Sequence, residues 1–509
     1  MPIHPFLISI FAVISLYTGN MIEMFISATV RPLIILTGCT AILLILLRGL
    51  TKDWQKGGLL LSFFLLLFLT YGHVHSFKDV TLFGIHVFRH KYLIVVWLVL
   101  AVTGGIFISR IKKTASFTNF ANTMSVIMLL FPAINIGRFV IDEKVYGSVA
   151  ETQVSSLFEL SVAQPAPDVY FIVLDAYGRA DVLQDLFDYD NSEFINELQN
   201  MGFYVVQCSQ SNYARTQLSM ASTLNMDYIE DLVPDLYAEG MEHWISPLLL
   251  HSRVRNLFEG LGYKTVAFYT DFPRLHWQDA DYFLQLGGQS SLLLQLDSSL
   301  TSFEEMFLNT TLFSPLIDSQ MNGTQISSNP SRRESDLYML STLPKIPQIL
   351  GPKFVYAHLI LPHPPFVFGP NGEEVNIDDK EFNDETRYQD AANRVGYSNQ
   401  VIYTNRRMIS VLRDIIEKSP IPPIIIIESD HGPTAYRGLQ NRMGNFMAYY
   451  FPGRDVASLA YPSITPVNSF RLVFNAYFGG EYPLLDDISY YSDATSNFNY
   501  EIVPNTCTK

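Results

Sequence analysis

The chain has 509 residues, of which 48% are hydrophobic and only 16% are charged, and its formal net charge is −15. Soluble globular proteins carry about 25% charged residues, so this composition excludes a disordered, fibrous or nucleic-acid-coating protein and favours a membrane protein. Residues 1–145 hold 12 Lys or Arg and 5 Asp or Glu, net +7, whereas the remainder holds 22 and 44, net −22. Two physically different halves therefore share the chain, and no basic region in the second half indicates a nucleic-acid partner.

Five apolar stretches in the first half approach the roughly 20 residues that a membrane-spanning helix needs. The first stretch is short, but it lacks the basic start and the small-residue cleavage site of a signal peptide, so we interpret it as a retained helix. Charged residues are absent from the middle of each stretch, which makes an ion or proton pathway unexpected. The predicted spans are Pro5 to Thr18, Leu33 to Leu47 with its flanks, Gly57 to Gly72, Tyr92 to Ser109, and Phe117 to Gly137.

Two loops between these spans are basic, and basic loops of membrane proteins face the cytoplasm. We therefore expect the amino terminus inside and everything after Arg138 outside. The loop that holds Lys78 is equally basic, but it is longer and also contains Asp79, and it argues for the opposite orientation. The two orienting clusters are Arg48, Lys52 and Lys56, and Arg110, Lys112 and Lys113.

The second half alternates short apolar runs with helical periodicity. This alternation predicts an α/β domain whose mostly parallel sheet is covered by helices on both faces. We expect a transmembrane domain over 1–138, a linker over 139–166 and a globular domain over 167–509; residues 289–331 are interpreted as an insertion or surface excursion. Strands are predicted at 168–175, 203–207, 264–269, 354–361 and 423–428, and helices at 192–201, 254–261 and 395–418.

Common signatures are missing from the sequence. It contains no GxxxxGKS/T loop, no GxGxxG after a strand, no GxSxG elbow and no HExxH pair. Three cysteines are too few for a disulfide scaffold or a thiolate metal site. Cys208 and Cys507 either pair, if their domain is extracytoplasmic, or remain free thiols.

Acidic residues and a histidine follow two of the predicted strands, where ligands of open α/β sheets gather. Asp175 ends the run VYFIVLD, where an acid could also simply cap the next turn. Asp430 and His431 lie in SDHG after the most apolar strand, and a buried carboxylate beside an imidazole is costly unless the two are paired or bind a cation. The alternatives there are a metal or catalytic site and a structural Asp/His pair.

Thr216 lies near the start of a predicted helix that begins at about Arg215. Free backbone N–H groups and the helix dipole at such a position favour an anion, although a hydroxyl there also serves as an ordinary cap. Ser211, Ser219 and Ser222 are competing hydroxyls in the same segment.

Taken together, Asp175, Thr216, Asp430 and His431 resemble the metal-and-nucleophile set of the alkaline phosphatase superfamily. The resemblance is to the sulfatase-like branch with lipoteichoic acid synthases and phosphoethanolamine or phosphoglycerol transferases, and it extends to the segment LPHPPF around His363. Such proteins place about five membrane helices before an extracytoplasmic sulfatase-like α/β catalytic domain. The resemblance implies an enzyme of the plasma (inner) membrane with a cytoplasmic amino terminus.

The resemblance also implies a mechanism. One divalent cation, Mn²⁺, Zn²⁺ or Mg²⁺, would be held by Asp175, Asp430, His431 and the Thr216 oxygen, and Thr216 would attack a phosphodiester to form a phospho-threonine intermediate. A membrane lipid would be the donor and a glycan, lipid or polymer the acceptor.

Four other ring side chains have expected roles. His363 would bind the phosphate or protonate the leaving alcohol, or else it is held structurally. His358 lies within a strand and is expected to be a satisfied core residue. His276 and Trp277 fall where lipoteichoic acid synthases carry substrate-contacting residues, although their loop does not match residue for residue.

Two departures narrow the implied activity. The Thr216 segment lacks the C/S-x-P-x-R motif of sulfatases, which disfavours sulfate-ester hydrolysis, and residues 432–509 contain no histidine for a second metal. The alternatives to a phosphotransferase are a sulfatase-like hydrolase or phosphodiesterase that uses water, and a catalytically silent membrane scaffold.

Overall fold

The computed structural model describes residues 1–21, 26–77, 87–154, 160–162, 165–233, 245–270, 275–286, 302–316, 332–375, 387–492 and 499–507. The chain forms two compact units. The membrane unit consists of Met1–Ile141 and Leu296–Asn329, and the sheet unit consists of Asp142–Gln295 and Pro330–Lys509.

The five predicted apolar helices form in the membrane unit. The unit contains α1 (His4–Thr18), α2 (Val30–Thr51), α3 (Trp54–His75), α4 (His90–Ser109), the first part of α5 (Thr114–Val154), and α12 (Ser302–Asn309). Within the described residues, α2 to α5 each contain a stretch long and apolar enough to cross a membrane, and α1, with 15 residues, is shorter. Half of the apolar window of α3 is buried, against 6–11% for the other three, so α3 is the central helix of the unit.

Two features differ from the predicted boundaries. α5 continues as a helix to Val154, so the predicted linker over 139–166 begins inside a helix. The described residues 302–316, which lie within the predicted surface excursion, belong to the membrane unit instead of the sheet unit.

The sheet unit follows the predicted α/β alternation. Its strands are β1 (Val169–Leu174), β2 (Tyr204–Val205), β3 (Lys264–Phe268), β4 (Tyr282–Leu284), β5 (Lys353–Leu359), β6 (Ile424–Glu428), β7 (Met447–Tyr450), β8 (Tyr490–Tyr491) and β9 (Glu501–Ile502). Its helices are α6 (Ala180–Phe187), α7 (Ser192–Asn200), α8 (Thr216–Asn225), α9 (Ile229–Leu232), α10 (Ile245–Leu250), α11 (Arg253–Gly260), α13 (Arg332–Thr342), α14 (Ala391–Lys418), α15 (Leu439–Met443), α16 (Val456–Leu459) and α17 (Ser469–Tyr477). Short 3-10 helices cover Ile26–Thr29, Leu343–Gln348 and Pro466–Asn468.

The central sheet has seven strands in the order β2-β7-β6-β1-β5-β3-β4. β6, β1, β5, β3 and β4 run parallel, whereas β7 and β2 are antiparallel additions at one edge, so the mostly parallel sheet is confirmed. Every residue of β1 is buried, because hydrophobic clusters cover both faces of the sheet. This double cover explains why the strands are continuous apolar runs instead of alternating ones.

The parallel pairing places the ends of three strands side by side. β1 pairs with both β5 and β6, and Leu174 at its end is in register with Leu359. Residues that follow β1 and β6 and those at the end of β5 therefore meet at one edge. The disulfide Cys208–Cys507 joins the segment after β2 to the carboxyl-terminal region, which decides between the two alternatives for these cysteines.

Candidate active site

Asp175 is the first residue after β1 and its side chain is fully buried. Its backbone N–H donates to Leu359 O at 3.0 Å, and Ala176 then turns the chain with a φ of +59°. Neither carboxylate oxygen of Asp175 accepts a hydrogen bond within the described part of the chain. A buried polar atom without a partner costs about 1–3 kcal/mol, and more for a charged group, so this position calls for a compensating group.

Asp430 meets Asp175 from β6. Its Oδ1 accepts from Ala176 N at 3.0 Å, and Ser429 Oγ accepts from Tyr177 N at 2.8 Å, so the turns after β1 and β6 are joined directly. Asp430 is fully buried, and its second oxygen, Oδ2, accepts no hydrogen bond from any residue that the structure describes.

His358 completes a group that could hold a metal ion. One ligand atom from each of Asp175, His358 and Asp430 lies within 4.8 Å of the others, and all three residues are buried. His358 Nε2 lies 3.4 Å from Asp175 Oδ2, and this nitrogen atom makes no hydrogen bond with the described residues. His358 is a buried core residue, as expected, and its Nδ1 lies 3.3 Å from the Tyr356 hydroxyl oxygen. Because β5 ends beside β1, its Nε2 nevertheless lies beside the Asp175 carboxylate.

His431 presents its Nε2 atom to the same region. Its Nδ1 lies 2.9 Å from Gly432 O, which can only accept, so Nδ1 carries the proton and Nε2 of the neutral ring keeps its lone pair. Nε2 lies 3.2 Å from Asp430 Oδ2 and 3.2 Å from Thr216 Oγ1.

Gly432 permits this arrangement by close approach. A Cβ atom there would lie 2.2 Å from Asn441 O and 2.8 Å from Gly444 O, so any side chain would displace α15 and the turn after it. The approach also brings Arg442 Nη2 to 3.1 Å from His431 Nε2.

Thr216 is the first residue of α8, close to the predicted helix start, and it is half-buried. At this position the backbone N–H groups of the first turn point away from the helix, and the dipole favours negative charge. Its hydroxyl oxygen therefore lies beside an imidazole lone pair and at an anion-favouring helix end.

His363 lies in the turn after β5 and is held by backbone contacts. Its Nδ1 donates to Pro364 O at 2.5 Å, Gln400 Nε2 donates to His363 O at 3.3 Å, and the Arg332 guanidinium donates to the same carbonyl. Burial lowers the pKa of His363 to about 4, although Asp175 acts in the opposite direction, and the ring is neutral at pH 7.

The charge balance favours an ionised Asp175. Burial raises the pKa of its carboxyl group, but His363, His358 and His431 together outweigh burial and hold the pKa below its usual range. The site therefore offers a carboxylate surrounded by imidazoles, which is a donor set that divalent cations accept.

The chain was also compared with known proteins. No family model matches it, and no curated protein matches it. Solved structures to which it is similar include the carboxyl-terminal periplasmic domain of EptC from Escherichia coli in complex with Zn, at 13% identity and a TM-score of 0.41 over 68% of this chain and 95% of that one.

Two further similar structures are the integral membrane lipooligosaccharide phosphoethanolamine transferase EptA from Neisseria meningitidis and the lipoteichoic acid synthase LtaP from Listeria monocytogenes. EptA has 11% identity and a TM-score of 0.41, with 92% of this chain and 95% of that one covered. LtaP has 12% identity and a TM-score of 0.38, with 67% and 82% covered. The identities and TM-scores are low, so the function must be argued from the site itself.

Two of the predicted residues lie in the core. His276 is buried, and its Nε2 lies 2.5 Å from Thr270 O and 3.0 Å from Thr270 N. Trp277 is fully buried, donates to Leu249 O at 3.0 Å, and packs against Tyr356. Since His276 Nε2 and Trp277 Nε1 already have backbone partners, we leave both residues out of the proposed site.

Sequence reasoning missed two neighbours of the site. Arg442 follows SDHG by only ten residues, but nothing in its local pattern distinguishes it from a surface arginine. Glu428 ends β6, is fully buried, and accepts from Thr223 Oγ1 at 3.0 Å and Ser469 Oγ at 3.2 Å. Burial raises the pKa of Glu428 to about 8, so its carboxyl group is mainly protonated at pH 7. The sequence did contain one signal for Glu428, since it is an acidic residue at the end of an otherwise apolar strand.

Proposed function

We propose that this protein is a membrane-anchored, metal-dependent phosphotransferase that moves a phosphoalcohol head group from a phospholipid to an envelope acceptor through phospho-Thr216. One observation carries the proposal. The Thr216 hydroxyl, at a helix amino terminus, lies 3.2 Å from His431 Nε2, and His431 Nε2 lies 3.2 Å from a buried Asp430 oxygen that accepts no hydrogen bond within the described chain.

The residues present fit a divalent cation. Both buried carboxylate oxygens of Asp175 and Oδ2 of Asp430 lack hydrogen-bond donors among the described residues. His431 Nε2 lies 3.2 Å from Asp430 Oδ2. Asp175, Asp430, His431 and the Thr216 oxygen would hold the ion, with His358 Nε2 as a further nitrogen close to Asp175. When bound, a divalent cation promotes ionisation of a hydroxyl group and offsets negative charge on a phosphate.

The chain's own residues would carry two displacement steps. Thr216 Oγ1 forms a bond to phosphorus, the bond from phosphorus to the lipid alcohol breaks, and the proton that Thr216 loses ends on the departing alcohol. In the second step an acceptor hydroxyl oxygen forms a bond to phosphorus, the bond from phosphorus to Thr216 Oγ1 breaks, and the proton that the acceptor loses ends on Thr216 Oγ1. Backbone N–H groups at the start of α8 and the guanidinium of Arg442 would stabilise the negative charge of the phosphate.

His363 suits the proton transfers. Its Nδ1 proton is engaged by Pro364 O, and its low pKa leaves Nε2 as an acceptor at neutral pH. It would therefore take a proton from an entering alcohol more readily than it would bind the phosphate as a cation. This role as a general base differs from the sequence expectation that His363 binds the phosphate or protonates the leaving alcohol.

Two observations support an extracytoplasmic sheet unit in the plasma membrane. The disulfide Cys208–Cys507 is of a kind that persists in oxidising compartments. The basic residues between α2 and α3 and between α4 and α5 favour cytoplasmic loops, which leaves the chain after α5 outside. A lipid donor would then be delivered in the outer leaflet.

The direct test is detection of the covalent intermediate. The full-length protein in lipid nanodiscs containing phosphatidylglycerol and phosphatidylethanolamine would be incubated with Mn²⁺, acid-quenched, and examined by peptide mass spectrometry. We expect a phosphoalcohol adduct on Thr216, retained in Thr216→Ser on the serine and absent in Thr216→Ala. Ser219→Ala, which removes a competing hydroxyl on the same helix, is the matched control and should keep the adduct.

The same experiment separates the transferase from a hydrolase of the same chemistry. Release of free phosphoalcohol at an equal rate with and without added acceptor glycolipid would favour the hydrolase, because water would then resolve the intermediate. An unmodified Thr216 peptide together with undiminished turnover in Thr216→Ala would overturn both, and a chain that neither binds a divalent ion nor turns over any diester would be the scaffold.

A further inference from the structure

Residues 302–316 lie in the second half of the sequence but are part of the membrane unit. They comprise α12, a turn over residues 310–313, and helical residues at 314–316. Phe303 and Phe307 of α12 are buried, at 1% and 7% exposure, in one hydrophobic cluster with residues of α1, α2 and α3. The segment therefore contributes to the core of the membrane helices.

The backbone of this segment bonds directly to α3. Leu312 N donates to Phe68 O at 2.9 Å, and Gly72 N donates to Thr310 O at 2.9 Å. Phe68 O and Gly72 N are the acceptor and donor of one i to i−4 pair in a regular α-helix. A Cβ atom on Gly72 would lie 1.9 Å from Asn309 O, so only glycine allows this approach.

A charge pair fixes the other end of the segment. The Arg31 guanidinium, at the start of α2, donates two hydrogen bonds to the two carboxylate oxygens of Glu304. The Glu304 side chain is only 7% exposed. Removing a carboxylate from water is unfavourable unless it is paired, so this bidentate contact specifies where α12 sits.

Three apolar side chains of the segment are exposed. Leu312, Phe313 and Leu316 are 41%, 46% and 60% exposed. The ring of Phe313 packs edge-on against Phe68 of α3, with 5.3 Å between centroids, so this surface continues the apolar surface of the spans. Neighbouring α2 has only 11% of its apolar window buried, as expected for a helix that faces lipid.

We propose that residues 302–316 are a re-entrant element of the bilayer, with Leu312, Phe313 and Leu316 in contact with lipid acyl chains. The element contacts the last turns of α3 and the first turn of α2, away from the α2–α3 hairpin that holds Lys52. With that basic hairpin in the cytoplasm, the element lies in the outer leaflet. The sheet-bearing half of the sequence thus supplies its own membrane-inserted piece.

Spin-label accessibility tests the location. In a Cys39→Ala background, which removes the free cysteine, a nitroxide would be placed at position 316 of the full-length protein in liposomes. We expect strong relaxation by lipid-soluble O₂ and weak relaxation by water-soluble Ni-EDDA, as at position 45 on α2. Position 395, 58% exposed on α14, is the aqueous control. A label at 316 that matches position 395 would overturn the proposal.

Two glycine variants test how the element is held. Gly72→Ala should make the nitroxide at position 316 more accessible to Ni-EDDA, so that its collision rate with Ni-EDDA at least doubles. Gly38→Ala is the matched control, because none of the described atoms lies within 4 Å of a Cβ there. If Gly72→Ala fails to fold, Arg31→Glu should produce the same shift and Arg31→Glu with Glu304→Arg should reverse it. If the Ni-EDDA collision rate at position 316 is unchanged in both Gly72→Ala and Arg31→Glu, the proposed packing of the element on α2 and α3 is contradicted.

Discussion

A buried aspartate lies at each end of β1, and the two carboxylates differ in the partners that surround them. Asp168, just before the strand, has Oδ2 2.7 Å from Lys353 Nζ and accepts from Lys353 N at 3.2 Å. Asp175, just after the strand, accepts no side-chain hydrogen bond from the described residues and faces histidines instead. Both are buried, at 7% and 0% exposure.

This difference supports the proposal that the carboxyl end of β1 binds a cation. At the amino end, the ammonium group of Lys353 lies beside the carboxylate of Asp168, and the two opposite charges balance each other. At the carboxyl end, both Asp175 oxygens and Asp430 Oδ2 accept no hydrogen bond from the described residues, which is costly for buried carboxylates. We infer that the carboxyl end is kept for an exchangeable cation, at the expense of stability without it.

The largest effect on activity should come from a substitution at the carboxyl end of β1. Asp175→Asn should lower kcat/KM on the order of a thousandfold, because a lost ligand removes several kcal/mol of transition-state stabilisation. Metal content measured by mass spectrometry should fall in parallel, while the melting temperature without metal stays equal or rises. Normal metal content in Asp175→Asn would show that the carboxylate is structural.

A substitution at the amino end of β1 should lower the stability of the fold and leave the metal content unchanged. Lys353→Met leaves Asp168 buried without its partner, and breaking such a pair costs about 3–5 kcal/mol of folding free energy. Urea unfolding in detergent should reveal this loss, whereas metal content per folded molecule should not change. If Lys353→Met also removed the metal, the two ends would not be independent.

A smaller effect is expected at His363. His363→Gln should reduce kcat by about a hundredfold, since positioned proton transfer contributes about 10²–10⁴. Because the pKa of His363 lies at about 4, activity that depends on its neutral form should persist through pH 6.5 and fall only as pH approaches 4. Comparing the pH profiles of the wild-type protein and His363→Gln checks this; an acid limb near pH 6.5 attributable to His363 would contradict it.

The smallest effect is expected beside the site, at Glu428. Its folded pKa of about 8 exceeds the ordinary 4.5, so the folded state holds a proton that the unfolded state releases, and stability is lost as pH rises from about 5 to 8. Glu428→Gln removes this loss, and its melting temperature should depend less on pH in that window. An identical pH dependence in the two proteins would mean that Glu428 is ionised when folded.

Local pattern was sufficient for much of the architecture. The run VYFIVLD predicts a buried strand with an acid at its end because periodicity and β-propensity are local properties, and β1 with Asp175 follows it. The apolar stretches predict helices α1 to α5 for the same reason. The antiparallel edge was less evident, since β2 is two residues long and is a strand only through its pairing with β7.

By itself, the sequence determined that a membrane half precedes an α/β half, and that Asp175, Asp430 and His431 follow strand ends. Only the tertiary structure decided that β1 lies between β5 and β6, which brings His358 to Asp175 and turns a core histidine into a candidate ligand. It also decided that residues 302–316 pack on α3 and that Cys208 joins Cys507. Strand order and distant contacts depend on how whole faces pack, and no short window of residues contains that information.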